Sequence, residues 1–554
     1  MRPTEYSRPS LLNELPSTGH AIIEASAGTG KTYAIEHLII ELLRSAATSI
    51  EEILVLTFTD KATAELRERI RGRIEQILRG EAGTAHSAPA GHTRIAVDDV
   101  TRQRLEEALT AFERAPIFTI HAFCWRVLTD FAFHSGTRFA LTLDDGRRAF
   151  GVAFRAQLRE HFAVDPLMRC GLAQWLEEKS PDGLEQLLYE GHRTRYQASD
   201  RATAIAETAK ALAVKAPISP RQLMDLYLPL VEERLEHDKR QRGQIDYDDM
   251  LALVWRALEA PGGAALTATL RQRYRFALVD EFQDTDDLQW RILSRLCVEG
   301  RDVNRLFVVG DPKQAIYAFR NADVHSYLRA RAELCAAGAP LIPLDTNFRS
   351  TALLVDACNL IFDQSAQPPL FDGEIGYDHP VKCGVPQRRA LDPRAQALVP
   401  ITLMRYAPPP GEKGSADDMR EQLGKFIAAT VKRIIEEPGG AIEIEEPDRD
   451  GGLPQRRKVT ARDIFVLAST NNDCRKIGAH LREAGVPFAF YKLEGLFQSD
   501  EARDVLDVLR AVEEPNDRSR RRRAWITPFF ALEYRQLASI ADAPAQDPLN
   551  QLLY

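Results

Sequence analysis

Apolar residues gather in six short runs: AIIEA (21–25), ILVLTF (53–58), IFTI (117–120), FALV (276–279), LFVV (306–309) and LIPL (341–344). Within each run they are nearly continuous rather than alternating. Runs of that kind predict strands covered on both faces, as in a parallel sheet. A polar or glycine-containing turn follows each run, and then a helical period. After the first run, Ile35, Leu38, Ile39, Leu42 and Leu43 fall on one helical face. Strand and helix in alternation predict an α/β fold with its ligands at the carboxyl ends of the strands.

The pattern changes between residues 140 and 243. Strand signals stop, and Arg-, Glu- and Leu-rich stretches such as LMDLYLPLVEERLEHDKRQ predict a helical insertion, kinked at Pro229. A second α/β unit is expected from about residue 373. There DIFVLAST (463–470) predicts a strand and CRKIGAHLREAG a helix, with a loop or hairpin over 436–458. The expected division is a first α/β domain over 1–139 and 244–372, interrupted by the insertion, and a second unit over 373–512.

Composition narrows the classes. A chain of 554 residues, 44% hydrophobic and 27% charged, is long enough for several domains. A net charge of −8 argues against a generally basic nucleic-acid coat but leaves room for a local basic groove. Seven scattered cysteines without a CxxC pair indicate a reducing compartment, with neither a disulfide framework nor a zinc site. The opening MRPTEYSRPSLLNELPSTG lacks the apolar core of a secretory signal. No apolar run approaches the ~18 residues of a membrane span, so a cytoplasmic protein is expected. The run Asp246-Tyr247-Asp248-Asp249 lacks the glycine and distal glutamate of a calcium loop and predicts a helix start.

The first strand feeds Ala25-Ser26-Ala27-Gly28-Thr29-Gly30-Lys31-Thr32, and an amphipathic helix follows. This is a phosphate loop with Ala25 where the usual signature has glycine. Backbone amides at the helix start cradle phosphate, Lys31 reaches the β/γ oxygens, and the Thr32 hydroxyl ligates Mg²⁺. Ala25 costs little provided its φ is negative. The plainer alternative is a glycine-rich turn that only caps the helix. FALVDEFQDTDDLQW supplies acidic partners at a strand end. Asp280 is placed to hold Mg²⁺ through water, and Glu281 to take a proton from attacking water. Asp284, Asp286 and Asp287 read as helix-capping and first-turn acids.

EASAGTGKT, TFTDKATAELRERI, TIHAFC, VDEFQDTDDLQ, VGDPKQAIYAFRNAD and LDTNFRS follow in that order between about residues 24 and 350. In sequence and spacing they resemble the motifs of superfamily 1 helicases of the UvrD/Rep type, and within them the RecB (exonuclease V beta) group. Ala25 is usual for that group's loop. The segment IFVLAST…LREAGVPFAFY…LFQSDEARDVLDVLRAV resembles the start of the family's second motor domain. The resemblance implies a P-loop NTPase (RecA-like) motor domain followed by part of a second one, with a second insertion starting over 513–554. It implies ATP and Mg²⁺ as cofactors and Gln314 as γ-phosphate sensor. Phe348 resembles the aromatic that stacks on adenine, and Arg349 the arginine that touches the γ-phosphate. Phe58, Thr59, His121, Tyr317, Phe319 and Arg320 resemble strand-contacting positions, where rings stack on bases and Arg meets phosphate. For Phe58 and Tyr317 core packing is the alternative.

By the same resemblance the chain is an ATP-dependent 3′–5′ DNA helicase or translocase. It would act on single-stranded DNA or duplex ends in double-strand-break repair, with RecC- and RecD-like partners. The family's later TVHxxKGLE-type and VAxTRA-type motifs and its nuclease carboxylates are not found in the sequence. The chain therefore reads as the N-terminal part of a longer protein, a truncated product or one half of a split enzyme, weak or inactive in unwinding alone. The competing readings are a non-catalytic ATP- and DNA-binding scaffold and an unrelated P-loop ATPase or kinase. The basic cluster Arg518, Arg520, Arg521, Arg522 and Arg523 reads as a solvated loop, with DNA-backbone contact as the sharper alternative.

Overall fold

The computed structural model describes residues 5–45, 48–80, 92–131, 142–194, 196–214, 216–299, 304–317, 323–363, 365, 368–371, 373–377, 379–408, 414–436, 442–448, 452–490, 500–530, 532 and 536–537. By internal contacts the chain divides into two units. The first holds Met1–Arg388 with Glu446–Pro454, and the second holds Arg389–Glu445 with Gln455–Tyr554.

In the first unit all six apolar runs become strands: β2 (Ala21–Ala25), β3 (Ile53–Thr57), β5 (Ile117–Thr119), β8 (Phe276–Val279), β9 (Arg305–Gly310) and β10 (Leu341–Leu344). They form one sheet in the order β10-β2-β9-β8-β3-β5, and every neighbouring pair is parallel. Because side chains alternate across a strand, each run serves two cores at once. Ile22, Leu54, Leu56, Val279, Leu306 and Val308 enter one cluster. Ile23, Ile53, Val55, Leu278, Phe307 and Val309 enter the other. The second face is covered by α1 (Lys31–Ser45), α2 (Asp60–Arg79) and α3 (Asp99–Thr110), through Ile35, Ile70 and Leu105. The first face is covered by α4 (Ile120–Asp130) and by helices including Tyr247–Glu259 and Val324–Ala336.

Both sheet edges carry a reason to be edges. β10 contains Pro343, which has no N–H to give to a further strand. Beside β5, Arg67 Nη2 donates to the carbonyls of Ala115 and Ile117 at 3.2 and 3.4 Å. A short antiparallel pair, β1 (Glu5–Pro9) with β4 (His92–Ala96), stands apart from the main sheet.

The insertion leaves and rejoins through a two-residue parallel pair, β6 (Thr142–Leu143) with β7 (Gln244–Ile245). Between them lie helices with a core of their own around Phe150, Phe154, Phe162 and Tyr227. The longest, Pro220–Arg242, runs through Pro229 as one helix. The acidic run starts the next helix: Asp246 caps it, accepting from Asp249 N, and Asp249 returns the bond in a capping box. Lys239 Nζ, near the end of the preceding helix, pairs with both carboxylates at 2.6 and 2.7 Å.

The second unit is built differently. Helix Ala416–Glu436 packs on helix Asn471–Glu483 around Ala428, Val431 and Leu481. Their close approach depends on Gly424, where a Cβ would sit 2.5 Å from the His480 ring. Helices Asp500–Glu513 and Arg518–Trp525 enclose a small core with Ala511 and Trp525. Among the described residues the sheet here has three strands, β13 (Arg389–Leu391), β14 (Glu443–Glu446) and β15 (Gln455–Lys458), so two strands come from within the expected 436–458 loop or hairpin. A two-residue pair, β11 (Thr346–Asn347) with β12 (Lys382–Cys383), belongs to the first unit.

The strand expected at 463–470 does not form. A 3₁₀ turn, Ala461–Asp463, leads into a segment without strand pairing, where Phe465 is 86% and Leu467 94% exposed. No strand among the described residues lies alongside it, and an extended segment is a strand only when a neighbour receives its hydrogen bonds. Among the described residues no helix is long and apolar enough to cross a membrane.

Candidate nucleotide-binding site

At the carboxyl end of β2 the chain turns through residues 26–30 into α1. Gly28 and Gly30 have φ of 75° and 93°, values that a Cβ disfavours. Gly28 is constrained twice, because a Cβ there would lie 2.9 Å from both Asn347 Nδ2 and Arg349 Cβ. Ala25 is buried at the strand end and is not among the non-glycine residues with positive φ. The condition on which its methyl is harmless is met. Thr29 closes the turn, with N and Oγ1 donating to Ser26 O at 3.3 and 2.8 Å. Lys31 and Thr32 open the helix, whose first turn carries no acidic residue.

Five residues close a ring of hydrogen bonds across three strand ends. Lys31 Nζ donates to Glu281 Oε2 at 2.6 Å, and Gln283 Nε2 donates to the same oxygen at 2.8 Å. Gln283 Oε1 accepts from Asp311 N at 3.0 Å. Asp311 Oδ2 accepts from Gln314 Nε2 at 2.7 Å, and Gln314 Oε1 faces Lys31 Nζ at 3.4 Å. Lys313 also pairs with Asp311 at 2.9 Å. The loop after β2, the acid after β8 and the glutamine after β9 are thus joined to one another.

Glu281 sits in the left-handed region, φ 49° and ψ 45°. For a residue with a side chain that conformation costs on the order of 1–3 kcal/mol and marks functional positions. It is held by Glu281 N donating to Asp280 Oδ1 at 2.9 Å and by Asp284 N donating to Glu281 O at 3.0 Å. Burial, with the Glu281 charge adding to it, pushes the Asp280 carboxyl up to about 6 and that of Asp284 up to about 7. Asp286 caps the next helix through Gln289 N at 2.8 Å, as its position in the sequence predicts. Asp284 instead ends a 3₁₀ turn and is buried.

The TNFRS loop is fastened directly onto the phosphate loop. Asn347 Nδ2 donates to Ala27 O and Phe348 N to Gly28 O, both at 2.9 Å. Asn347 Oδ1 also accepts from Arg349 N and Ser350 N at 2.7 and 2.8 Å. Phe348 is half exposed with its ring against Gly384, and Arg388 Nη1 donates to the carbonyls of Phe348 and Arg349. The Arg349 side chain is exposed.

The expected strand contacts divide. Phe58 and Tyr317 are partly buried and face each other with ring centroids 4.7 Å apart, outside the core clusters. His121 meets the ring of Tyr247 edge-on at 5.3 Å. Thr59 is engaged as the cap of α2, accepting from Ala62 N at 3.1 Å. Phe319 and Arg320 lie outside the described residues. The Arg518–Arg523 cluster forms a helix, not a loop. In it Arg520 pairs with Glu514 at 3.1 Å and Arg523 with Asp507 at 3.2 Å.

The sequence alone does not single out Gln283, Asp311 or Asn347. Each lies inside a motif string, but only the folded positions of the partners reveal its part.

Residues 11–334 match the family described as the UvrD/REP helicase N-terminal domain. The chain belongs to the UvrD/REP helicase family. It is 30% identical over 539 residues to the RecBCD enzyme subunit RecB of Mycolicibacterium smegmatis, covering 96% of this chain and 46% of that protein. With RecB of Escherichia coli it shares 28% over 635 residues, 94% of this chain and 52% of the relative. With an ATP-dependent helicase/nuclease of Latilactobacillus sakei it shares 24% over 694 residues, 99% of this chain and 75% of the relative. The chain spans about half the length of the RecB relatives it matches. In this UvrD/REP chain the family match takes in Lys31, Asp280, Glu281 and Gln314, and ends before β10 and Phe348.

Proposed function

We propose that this chain is an ATP-hydrolysing DNA helicase motor of RecB type. The observation that carries the reading is the closed ring from Lys31 through Glu281, Gln283, Asp311 and Gln314. It joins a phosphate-binding cation, a proton acceptor and a polar group able to register the terminal phosphate. The Lys31 ammonium pairs with Glu281 at 2.6 Å. An arriving triphosphate draws Lys31 to its β/γ oxygens and frees Glu281 to accept a proton from the attacking water. Arg349, next to Gly28, adds positive charge where negative charge develops on the phosphate oxygens during transfer.

Thr32 and Asp280 would hold Mg²⁺, an oxygen-only pair suited to an ion that keeps most of its shell in water and phosphate. Bound there, Mg²⁺ would neutralise charge on the phosphates. Ala25, Ser26, Ala27, Gly28, Thr29 and Gly30 shape the cradle, and Phe348 offers an aromatic face for adenine. Phe58, Thr59, His121, Tyr317, Phe319 and Arg320 serve the DNA strand in this proposal. The same reading takes 140–243 as an insertion, 373–512 as the start of a second motor domain and 513–554 as the start of its insertion. It extends to 3′–5′ movement, double-strand-break repair, RecC- and RecD-like partners and a cytoplasmic setting.

The test is ATP hydrolysis with and without single-stranded DNA. A motor gives strong DNA stimulation. A binding scaffold holds both ligands and hydrolyses little, and an ATPase unrelated to DNA shows no stimulation. Either of the last two results overturns the reading.

A further inference from the structure

Gln283 is buried, and both ends of its amide are engaged. Oε1 accepts from the backbone N–H of Asp311 at 3.0 Å, and Nε2 donates to Glu281 Oε2 at 2.8 Å. The amide has one possible sense. A backbone N–H only donates, so the atom facing Asp311 is the oxygen, and the nitrogen is left to face Glu281. Reversed, the amide would set donor against donor at one end and oxygen against carboxylate at the other.

The backbone on both sides is shaped around this side chain. Glu281 is left-handed, and the 3₁₀ turn Phe282–Asp284 that follows brings Gln283 back beside the Glu281 carboxylate. Opposite, β9 ends at Gly310, where a Cβ would lie 2.8 Å from Gln283 Oε1 and 3.2 Å from Gln283 N. Gly310 is not among the glycines with positive φ. What its position requires is room for Gln283, not backbone freedom. Asp311, which fixes the amide, also holds Gln314 through Oδ2, so the base and the phosphate sensor share one anchor.

We propose that Gln283 is a positioning residue that aims the Glu281 carboxylate and makes Oε1 the oxygen that takes the proton from water. The proposal rests on the reading of Glu281 as proton acceptor and names the group that orients it. Glu281 Oε2 receives two donors, Lys31 Nζ and Gln283 Nε2, while no hydrogen bond reaches Oε1 among the described residues. When Lys31 turns to the phosphates, of these two donors only Gln283 stays. A donor tied at its far end to the main chain after β9 restrains a flexible glutamate during folding, ahead of the reaction. In the step itself the proton passes from water to Oε1, and the water oxygen bonds to the terminal phosphorus. The bond from that phosphorus to the departing diphosphate breaks, leaving its electron pair on the diphosphate.

The test is single-turnover ATP hydrolysis by the full chain with single-stranded DNA, with affinity for a fluorescent ATP analogue measured in parallel. Gln283→Met, of similar length but without an amide, should slow hydrolysis about 10- to 100-fold, the scale on which a misplacement of roughly 1 Å acts. Gln283→Glu still offers an oxygen to the Asp311 N–H but no amide donor to Glu281, and should be at least as slow. It carries the test if Gln283→Met does not fold. Gly310→Ala presses on Oε1 and should slow hydrolysis too. Nucleotide affinity should stay within about threefold in all three, because no phosphate contact is lost. Placed in Glu281→Gln, either Gln283 substitution should slow hydrolysis no further, since nothing is left to aim. An undiminished loss in that background makes Gln283 part of the frame alone and overturns the proposal. So do wild-type rates in both Gln283 variants while Glu281→Gln is slow, which leaves the motor reading standing. A wild-type rate in Glu281→Gln, or no hydrolysis by the wild-type chain, overturns the assignment of the base and this proposal with it.

Discussion

FALV at 276–279 and IFVL at 464–467 are apolar runs of the same length and nearly the same composition. The first is a strand in the middle of the sheet with all four residues buried. The second is unpaired, with Phe465 and Leu467 almost fully in solvent. The difference lies in the neighbours, not in the runs. β8 has β3 on one side and β9 on the other, while no described strand lies beside 464–467. An apolar run records a preference for a covered, paired environment, and the rest of the fold has to supply that environment. The functional groups follow the same division. Lys31, Glu281, Gln283 and Gln314 stand on the ends of paired strands in the first unit.

The sharpest way to break this comparison is at the chemistry. Glu281→Gln should cut DNA-stimulated ATP hydrolysis by about 10²–10⁴, the usual worth of a general base, with nucleotide still bound. Nucleotide affinity and steady-state turnover measure the two halves of that statement. A rate within about threefold of wild type, far short of that range, moves the base elsewhere. Next come the two runs themselves. Leu278→Ala should cost about 2–5 kcal/mol in chemical denaturation, whereas Leu467→Ala should stay within about 0.5 kcal/mol. Equal costs would mean that the 464–467 run is packed in solution.

The pH response should also separate the units. Burial, helped by the charge of Arg73, holds the His37 imidazole down to about 3, and the ring receives Tyr6 at 2.7 Å. Unfolded, it titrates near about 6.5. Its stabilising contribution is therefore complete above roughly pH 6.5 and declines as acid protonates the unfolded state. The first unit should lose about 2 kcal/mol between about pH 7 and pH 5. Unfolding curves of wild type and His37→Gln across that range measure it, and parallel curves remove His37 as the cause. The smallest effect is expected at Arg388→Ala, which deletes donors to the Phe348 and Arg349 carbonyls from a partly exposed position. Nucleotide affinity should fall by about 0.5–1.5 kcal/mol, the net worth of a hydrogen bond.

The six sheet strands were legible because each carries its burial in its own residues. The apolar runs mark the strand ends closely: Phe58 falls just outside β3, and Ile120 starts α4 rather than ending β5. The helix start at Asp246 and the cap at Asp286 were legible for the same reason, since a cap is a local contact. Asn347 was not, because its partner Ala27 lies 320 positions away. Nor was the left-handed backbone of Glu281, which nothing in its side chain favours. The run at 463–470 misleads because its pattern reports hydrophobicity and says nothing of whether a neighbour is present.

Asn347 and Phe348 hold Ala27 and Gly28 through two hydrogen bonds. A free glycine-bearing loop would have to surrender conformational entropy on capturing phosphate, on the order of 1–2 kcal/mol for each residue fixed. Here that loss falls on folding, far from the moment of capture. Nucleotide association should therefore show a modest entropic penalty, and Asn347→Ala should enlarge that penalty before it changes the contacts themselves.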